Sequence, residues 1–306
     1  MRRERTKTGG AGFGGRVAAA ILLALFLPGF ALAAGRARPA PKPPSNDDCL
    51  ACHGDPTAAR ENGTSVAVAA EGFAKSIHGP MACVDCHVDL AATSDFPHAA
   101  KLRKVDCATC HEDAPRDLAK SVHSRVTAGP DGPECVSCHG NAHLVLPKSD
   151  PASRISKANL ATTCGSCHSD PNFLARHQIA FARPVDAYRM SVHGRAVAKG
   201  SQEAATCSDC HGAHNILGPR NEASKTNHWK VPETCGSCHK EIAKTYAESV
   251  HGQAVARGVA GAPVCTDCHG EHSIAAPSEA DSLVNPARVS SVTCARCHAD
   301  ERLAAR

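Results

Sequence analysis

Apolar positions in this chain come in short bursts separated by long polar stretches. The longest burst, Val17 to Leu27, is 11 residues. It follows a basic segment with Arg2, Arg3, Arg5, Lys7 and Arg16 and precedes Ala31-Leu32-Ala33. That order predicts a secretory signal over residues 1–33, cut after Ala33. The run is short for a membrane span and is interrupted by Pro28, so an uncleaved anchor is the lesser alternative. Residues 34–48 hold Pro39, Pro41, Pro43 and Pro44 and read as an extended linker. Further on, apolar residues recur four apart only briefly, as in Ala114, Leu118 and Val122, and again in Ile242, Tyr246 and Val250. Each trio predicts a short helix with one apolar face. Gly194 and Gly252 then read as helix stops. Period-two alternation is nearly absent. The expected fold is mainly α with extensive coil and almost no β.

A second pattern overrides the first. Cys-x-x-Cys-His occurs nine times, and all 18 cysteines fall inside it. The pairs are Cys49 and Cys52, Cys83 and Cys86, Cys107 and Cys110, Cys135 and Cys138, Cys164 and Cys167, Cys207 and Cys210, Cys235 and Cys238, Cys265 and Cys268, and Cys294 and Cys297. Two thiols at this spacing, followed by an imidazole, suit covalent attachment of a c-type haem. The thiols add to the two vinyl groups and the histidine takes the iron from below. A zinc knuckle or a disulfide framework gives no reason for a histidine after every second cysteine.

The motifs sit in a repeat of two. One motif leads through a short helix to Ser-(Val/Ile)-His. A loop then leads to a second motif, continued as Gly-x-His or a looser form. The distance from a motif histidine to the next Ser-x-His histidine runs 25, 12, 25 and 12 residues. Motifs one to four thus resemble five to eight, with the ninth closing the chain. We divide the chain at residues 49–163 and 164–306 on that basis, without expecting separately folding halves.

Composition points the same way. Aromatic residues make up 3% of the chain, and roughly 30 residues are available per motif, too little for an ordinary core. Short helices and loops wrapped around a closely packed array of nine haems would supply the missing apolar bulk, and the chain without them should be largely unfolded. The formal charge of +4 resides in the signal, so the mature chain is near neutral and haem propionates would make it acidic. With no basic stripe interleaved with aromatics, a nucleic-acid role is excluded.

The motif histidines His53, His87, His111, His139, His168, His211, His239, His269 and His298 are the first iron ligands. Ten others remain for the opposite faces. His78, His123, His193 and His251 share the Ser-x-His context. His143, His214 and His272 closely follow a motif, and His98 and His228 precede Cys107 and Cys235 at similar distances. These nine are the candidate second ligands. His177 has Asn62 as its counterpart in the first half and is left out. Met81 and Met190 are read as packing residues. Two neutral imidazoles close an iron to other ligands and suit it to electron transfer.

The run Ser249 to His272, nearly repeated in Ser191 to His214, resembles multihaem c-type cytochromes of bacterial respiration. The resemblance covers about residues 49–306. It implies low-potential bis-histidine haems stacked in parallel and perpendicular pairs. It also implies an exported, periplasmic electron carrier, with membrane attachment or the cell surface as alternatives. The partners it implies are a membrane quinol dehydrogenase or cytochrome b-type subunit, which would handle quinone, and a downstream cytochrome or reductase. Haem nine has no Ser-Val-His after it, so the sequence leaves its second ligand open. A competing reading is an oxidoreductase for small nitrogen or sulfur compounds with one open-site haem. No Cys-x-x-Cys-Lys marks such a site, and Tyr188 and Tyr246 read as packing residues. A surface filament is a third reading, with no feature specific to it.

Overall fold

The structure, a computed structural model, describes residues 42–125, 132–179 and 183–300. The expected signal and most of the linker lie outside them. The described residues form short helical turns joined by coil, with one isolated bridge, Ala59 to Ser65, as their β structure. No helix among them is long and apolar enough to cross a membrane. The expectation of a mainly helical, coil-rich, almost strand-free chain holds.

Their interior is small and largely polar. Among them eight apolar residues are buried, chiefly valines such as Val84, Val145, Val197 and Val264. Eleven buried residues are polar, nearly all serine or threonine. Those hydroxyls are hydrogen-bonded, most to backbone carbonyls, with Ser76 and Ser121 accepting from the N–H of His78 and His123 and Thr206 donating to Asp209. Ser153, Ser224 and Ser282 donate to the carbonyls of Leu146, Leu217 and Ala275, each seven residues back. Thr163, Thr234 and Thr293, each just before a motif cysteine, donate to Arg154, Lys225 and Leu283. The same loop is thus built three times, ahead of motifs five, seven and nine. Contacts also cross the 163/164 boundary, where the Val122 N–H donates to the Ile216 carbonyl at 2.8 Å.

Two helix expectations are overturned. The Ser-Val-His stretch is not the tail of one helix but the corner between two. Ser191 closes helix Pro184–Met190 and opens helix Val192–Ala198, and Ser249 likewise joins Lys240–Glu248 to Val250–Ala256. The serine hydroxyl makes the corner. Ser191 Oγ donates to Tyr188 O at 2.7 Å and accepts from Gly194 N at 3.0 Å, so one side chain serves both helix ends. Gly194 and Gly252 are therefore not stops but third residues of new helices. A Cβ at Gly194 would lie 2.0 Å from Tyr188 O, and one at Gly252 would lie 2.1 Å from Tyr246 O. Glycine is needed for this close approach, not for a left-handed conformation. For the same reason Val122 and Val250 do not extend the faces of Leu118 and Tyr246; each starts the element after the corner.

Candidate functional site

Each motif lies on, or at the end of, one helical turn. Cys83–Cys86, Cys135–His139, Cys207–His211 and Cys265–His269 are short helices of their own. A helical turn sets cysteines i and i+3 on one face. The residue between them helps start that turn. Asp85, Asp209 and Asp267 accept from the backbone N–H of Ala82, Thr206 and Val264 at 2.7–2.8 Å. Motifs six and eight are also held from behind. Tyr188 Oη donates to Ala205 O at 2.9 Å, ahead of Cys207, and Tyr246 Oη donates to Pro263 O at 2.8 Å, ahead of Cys265. Burial pushes the Tyr188 phenol up to about 12.

All 18 cysteines are free, and each is half-buried or exposed. Cysteine used for packing is among the most buried residue types, so this exposure fits a different use. The thiols also order the motifs in space. First cysteines lie beside each other across alternate gaps, in the pairs Cys49 and Cys83, Cys107 and Cys135, Cys164 and Cys207, and Cys235 and Cys265. The intervening gaps are spanned by Cys86 and Cys110, Cys138 and Cys167, Cys210 and Cys238, and Cys268 and Cys294, which lie near enough to repel as thiolates. Consecutive motifs are thus neighbours along the whole chain.

Sixteen of the 19 histidines meet in eight pairs, each joining one motif histidine to one non-motif histidine. The pairs, in chain order of the motifs, are His53 with His98, His87 with His143, His111 with His78, His139 with His214, His168 with His123, His211 with His272, His239 with His193, and His298 with His251. Their ring centroids lie 5.8–6.2 Å apart. Ring pairs without a metal also occur at this spacing, as Phe73 and His143 do at 6.1 Å, so what singles these sets out is the one-to-one match of motif with non-motif histidines. With a metal–imidazole bond of about 2 Å on each side, as histidine makes to zinc, and about 1.2 Å from nitrogen to ring centre, an intervening metal gives about 6.4 Å when the three are in line, slightly more than these separations.

The free nitrogens support this. His53 Nδ1 lies 2.8 Å from Val66 O, His78 Nδ1 3.1 Å from Ala142 O, and His98 Nδ1 2.9 Å from Ala99 O. A carbonyl only accepts, so Nδ1 carries the proton and Nε2 keeps the lone pair a metal needs. Burial lowers the pKa of His123, His143, His168, His193 and His272. His211 falls to about 4 through burial and then the neighbouring His272 and His168. The lowering favours the neutral imidazole, the ligating form.

The described residues contain no group of three or more His, Cys, Asp or Glu that could hold a metal ion by themselves. A tetrahedral zinc site needs four such ligands. A porphyrin, which brings four nitrogens of its own, would need from the chain only the two imidazoles of such a pair.

The pairing follows a register that the sequence did not disclose. The Ser-x-His before an even motif faces the histidine of the next, odd motif. The Gly-x-His element after motifs four, six and eight faces the histidine two motifs back. His298 of motif nine, left open by the sequence, faces His251. His228 meets no motif histidine at this spacing, and its Nε2 is buried without a hydrogen-bond partner. Its turn, His228–Lys230, is capped by Asn227, and its ring packs edge-on against Trp229 at 4.9 Å. His177 packs on Phe173 at 4.4 Å. The motif histidine with no counterpart at this spacing is His269. No family model matches the chain, and no curated protein or solved structure matches it significantly.

Proposed function

We propose that this protein is a nonahaem c-type cytochrome that carries electrons between a membrane quinol-oxidising partner and a downstream acceptor outside the cytoplasm. The observation that carries the reading is the eightfold pairing of a Cys-x-x-Cys-His imidazole with an imidazole from elsewhere, at metal-spanning distance. Bound haem iron supplies one-electron chemistry, cycling between ferric and ferrous.

The chain's own residues do the rest. Each cysteine pair tethers one group, so nine are held without a large core. The paired imidazoles would hold eight of the haems, which would suit them to transfer rather than substrate binding. Backbone carbonyls fix the tautomer of His53, His78 and His98. Neighbouring thiols keep each tether against the next, which supports transfer in sequence order, with motifs one and nine as the ends where partners dock. Tyr188 and Tyr246 each use their hydroxyl on a backbone carbonyl, which favours an anchoring role over a catalytic one.

The test is a redox titration of the purified holoprotein with a quinol-oxidising membrane fraction. The reading expects reduction of nearly all haem at low potential and reoxidation by a small soluble cytochrome. Absence of bound haem, or turnover of nitrite or hydroxylamine at rates matching its reduction, would contradict it.

A further inference from the structure

Motifs six and eight are near copies in sequence, and their neighbours set them apart. At motif six, His272 faces His211 and Ile274 O accepts from Val192 N at 2.8 Å, whereas the Val250 N–H makes no such bond among the described residues. The charge placed on the two motifs differs as well, and the loop built ahead of motifs five, seven and nine brings it. In each copy the residue after the buried serine reaches back over the C-terminal end of the preceding even motif's helix. Arg154 Nη2 donates to Ser137 O at 3.1 Å, and a Cβ at Gly140 would lie 2.8 Å from Arg154 Cδ. Lys225 Nζ donates to Asp209 O at 3.2 Å. Leu283 takes the same place at motif eight, with its Cδ1 3.8 Å from where a Cβ at Gly270 would be. Carbonyls at a helix end carry negative partial charge, which Arg154 and Lys225 offset and Leu283 does not.

The fourth residue after the serine reaches forward. In the first copy it is Lys157, whose side chain is 21% exposed. Its Nζ donates to Ala204 O at 2.8 Å and lies 3.5 Å from Asp209 Oδ2, at the start of the motif-six helix. In the second copy that register position is His228, whose Nε2 is buried without a hydrogen-bond partner. Motif six thus receives two lysines against one aspartate. The corresponding residues for motif eight are His228 and Leu283, and Asp267 is exposed, with no ion-pair partner among the described residues. Arg296 of the motif-nine helix does act on the Cys268 thiol, but it is exposed and weighs less there than Asp267 does.

We propose that Lys157 and Lys225 make motif six the place where electrons collect in this half of the chain, and that motif eight, with His228 and Leu283 in the matching positions, lies below it in potential, so that electrons run from motif eight to motif six. This rests on the haem reading above and gives it a direction. A fixed positive charge favours the form of a neighbouring redox centre that holds the extra electron. The half-buried Lys157 escapes much of the screening that weakens an exposed charge. One centre is oxidised and the other reduced by a single electron, and no bond forms or breaks.

The test is a spectroelectrochemical titration of the holoprotein, resolved into one-electron steps, with haem count and electron paramagnetic resonance on the same samples. Lys157→Met should shift one step toward the oxidised form about tenfold, or about 59 mV, and Lys157→Arg should leave it in place. Lys225→Met should move the same step the same way by less, because Lys225 is more exposed. Leu283→Arg copies the contact of Arg154 and should raise a different step, one that lies lower in the unaltered protein. Spin states should be the same in all four variants, which separates an effect of charge from a disturbed fold. Steps that do not move would overturn the inference and leave the haem reading standing. So would one and the same step moved by Lys157→Met and Leu283→Arg, or a step for Leu283→Arg that starts above the one for Lys157→Met. A haem count far below nine would sink the haem reading itself.

Discussion

The segments Ser191 to His214 and Ser249 to His272 are nearly the same sequence, yet the structure closes one and leaves the other open. Both have the serine corner, the glycine packed under a tyrosine carbonyl, and the aspartate that starts the motif helix. They differ in what comes next. Motif six receives His272 and Ile274 from the following unit, and motif eight receives neither. In motifs two, four and six the facing histidine comes from 56, 75 and 61 positions downstream, not from the motif or its local context. What looks like a property of the motif belongs to the stacking of units, as in repeat proteins where each unit completes its neighbour.

The largest expected effect removes the difference altogether. If haem attachment is blocked during expression, both segments should lose structure, because the buried apolar set is too small to hold either. Circular dichroism of the apo chain should show no cooperative melt; a sharp one would contradict the account. Next come Gly194→Val and Gly252→Val. Each forces a side chain into a backbone carbonyl, at a cost of about 3 kcal/mol or more, nearly equal at the two sites. Thermal unfolding of the holoproteins measures this, and a well-tolerated valine at either position would show that the corner is not as described.

His272→Ala sharpens the comparison. It should make motif six resemble motif eight, adding one high-spin haem by electron paramagnetic resonance, whereas His228→Ala should add none. The smallest effects concern the corners. Ser191→Ala and Ser249→Ala should each cost about 1 kcal/mol through the lost cap. Tyr246→Phe should cost about 1 kcal/mol through the lost bond to Pro263 O and leave every spin state unchanged. A change in haem spectrum in Tyr246→Phe would argue for a role beyond anchoring.

Much of the candidate site was legible in the sequence because the chemistry is local. Cys-x-x-Cys-His is a contiguous pattern, and Ser-x-His repeats in a constant context, so His78, His123, His193 and His251 could be singled out. The pairing was not legible, because ligands come from one or two motifs away and periodicity says nothing about which unit stacks on which. His98 and His228 show the limit. They occupy like places in the sequence, but one meets His53 and the other is turned against Trp229. The helix ends were misread for a physical reason. A glycine after a helix commonly stops it, and nothing in the sequence announces that a tyrosine carbonyl lies where the Cβ would be. The backbone bonds from Val122 and Val192 carried no sequence signal beyond a valine before histidine, and only their geometry shows that Val250 lacks its counterpart.

The central claim is that each thiol pair holds a haem that the chain needs in order to fold. Intact-mass spectrometry of the purified, denatured protein, with thiol titration on the same sample, tests it most directly. The account predicts one species carrying nine haems and no titratable thiol. A folded protein with free thiols, with disulfides, or with zinc in place of haem would contradict it.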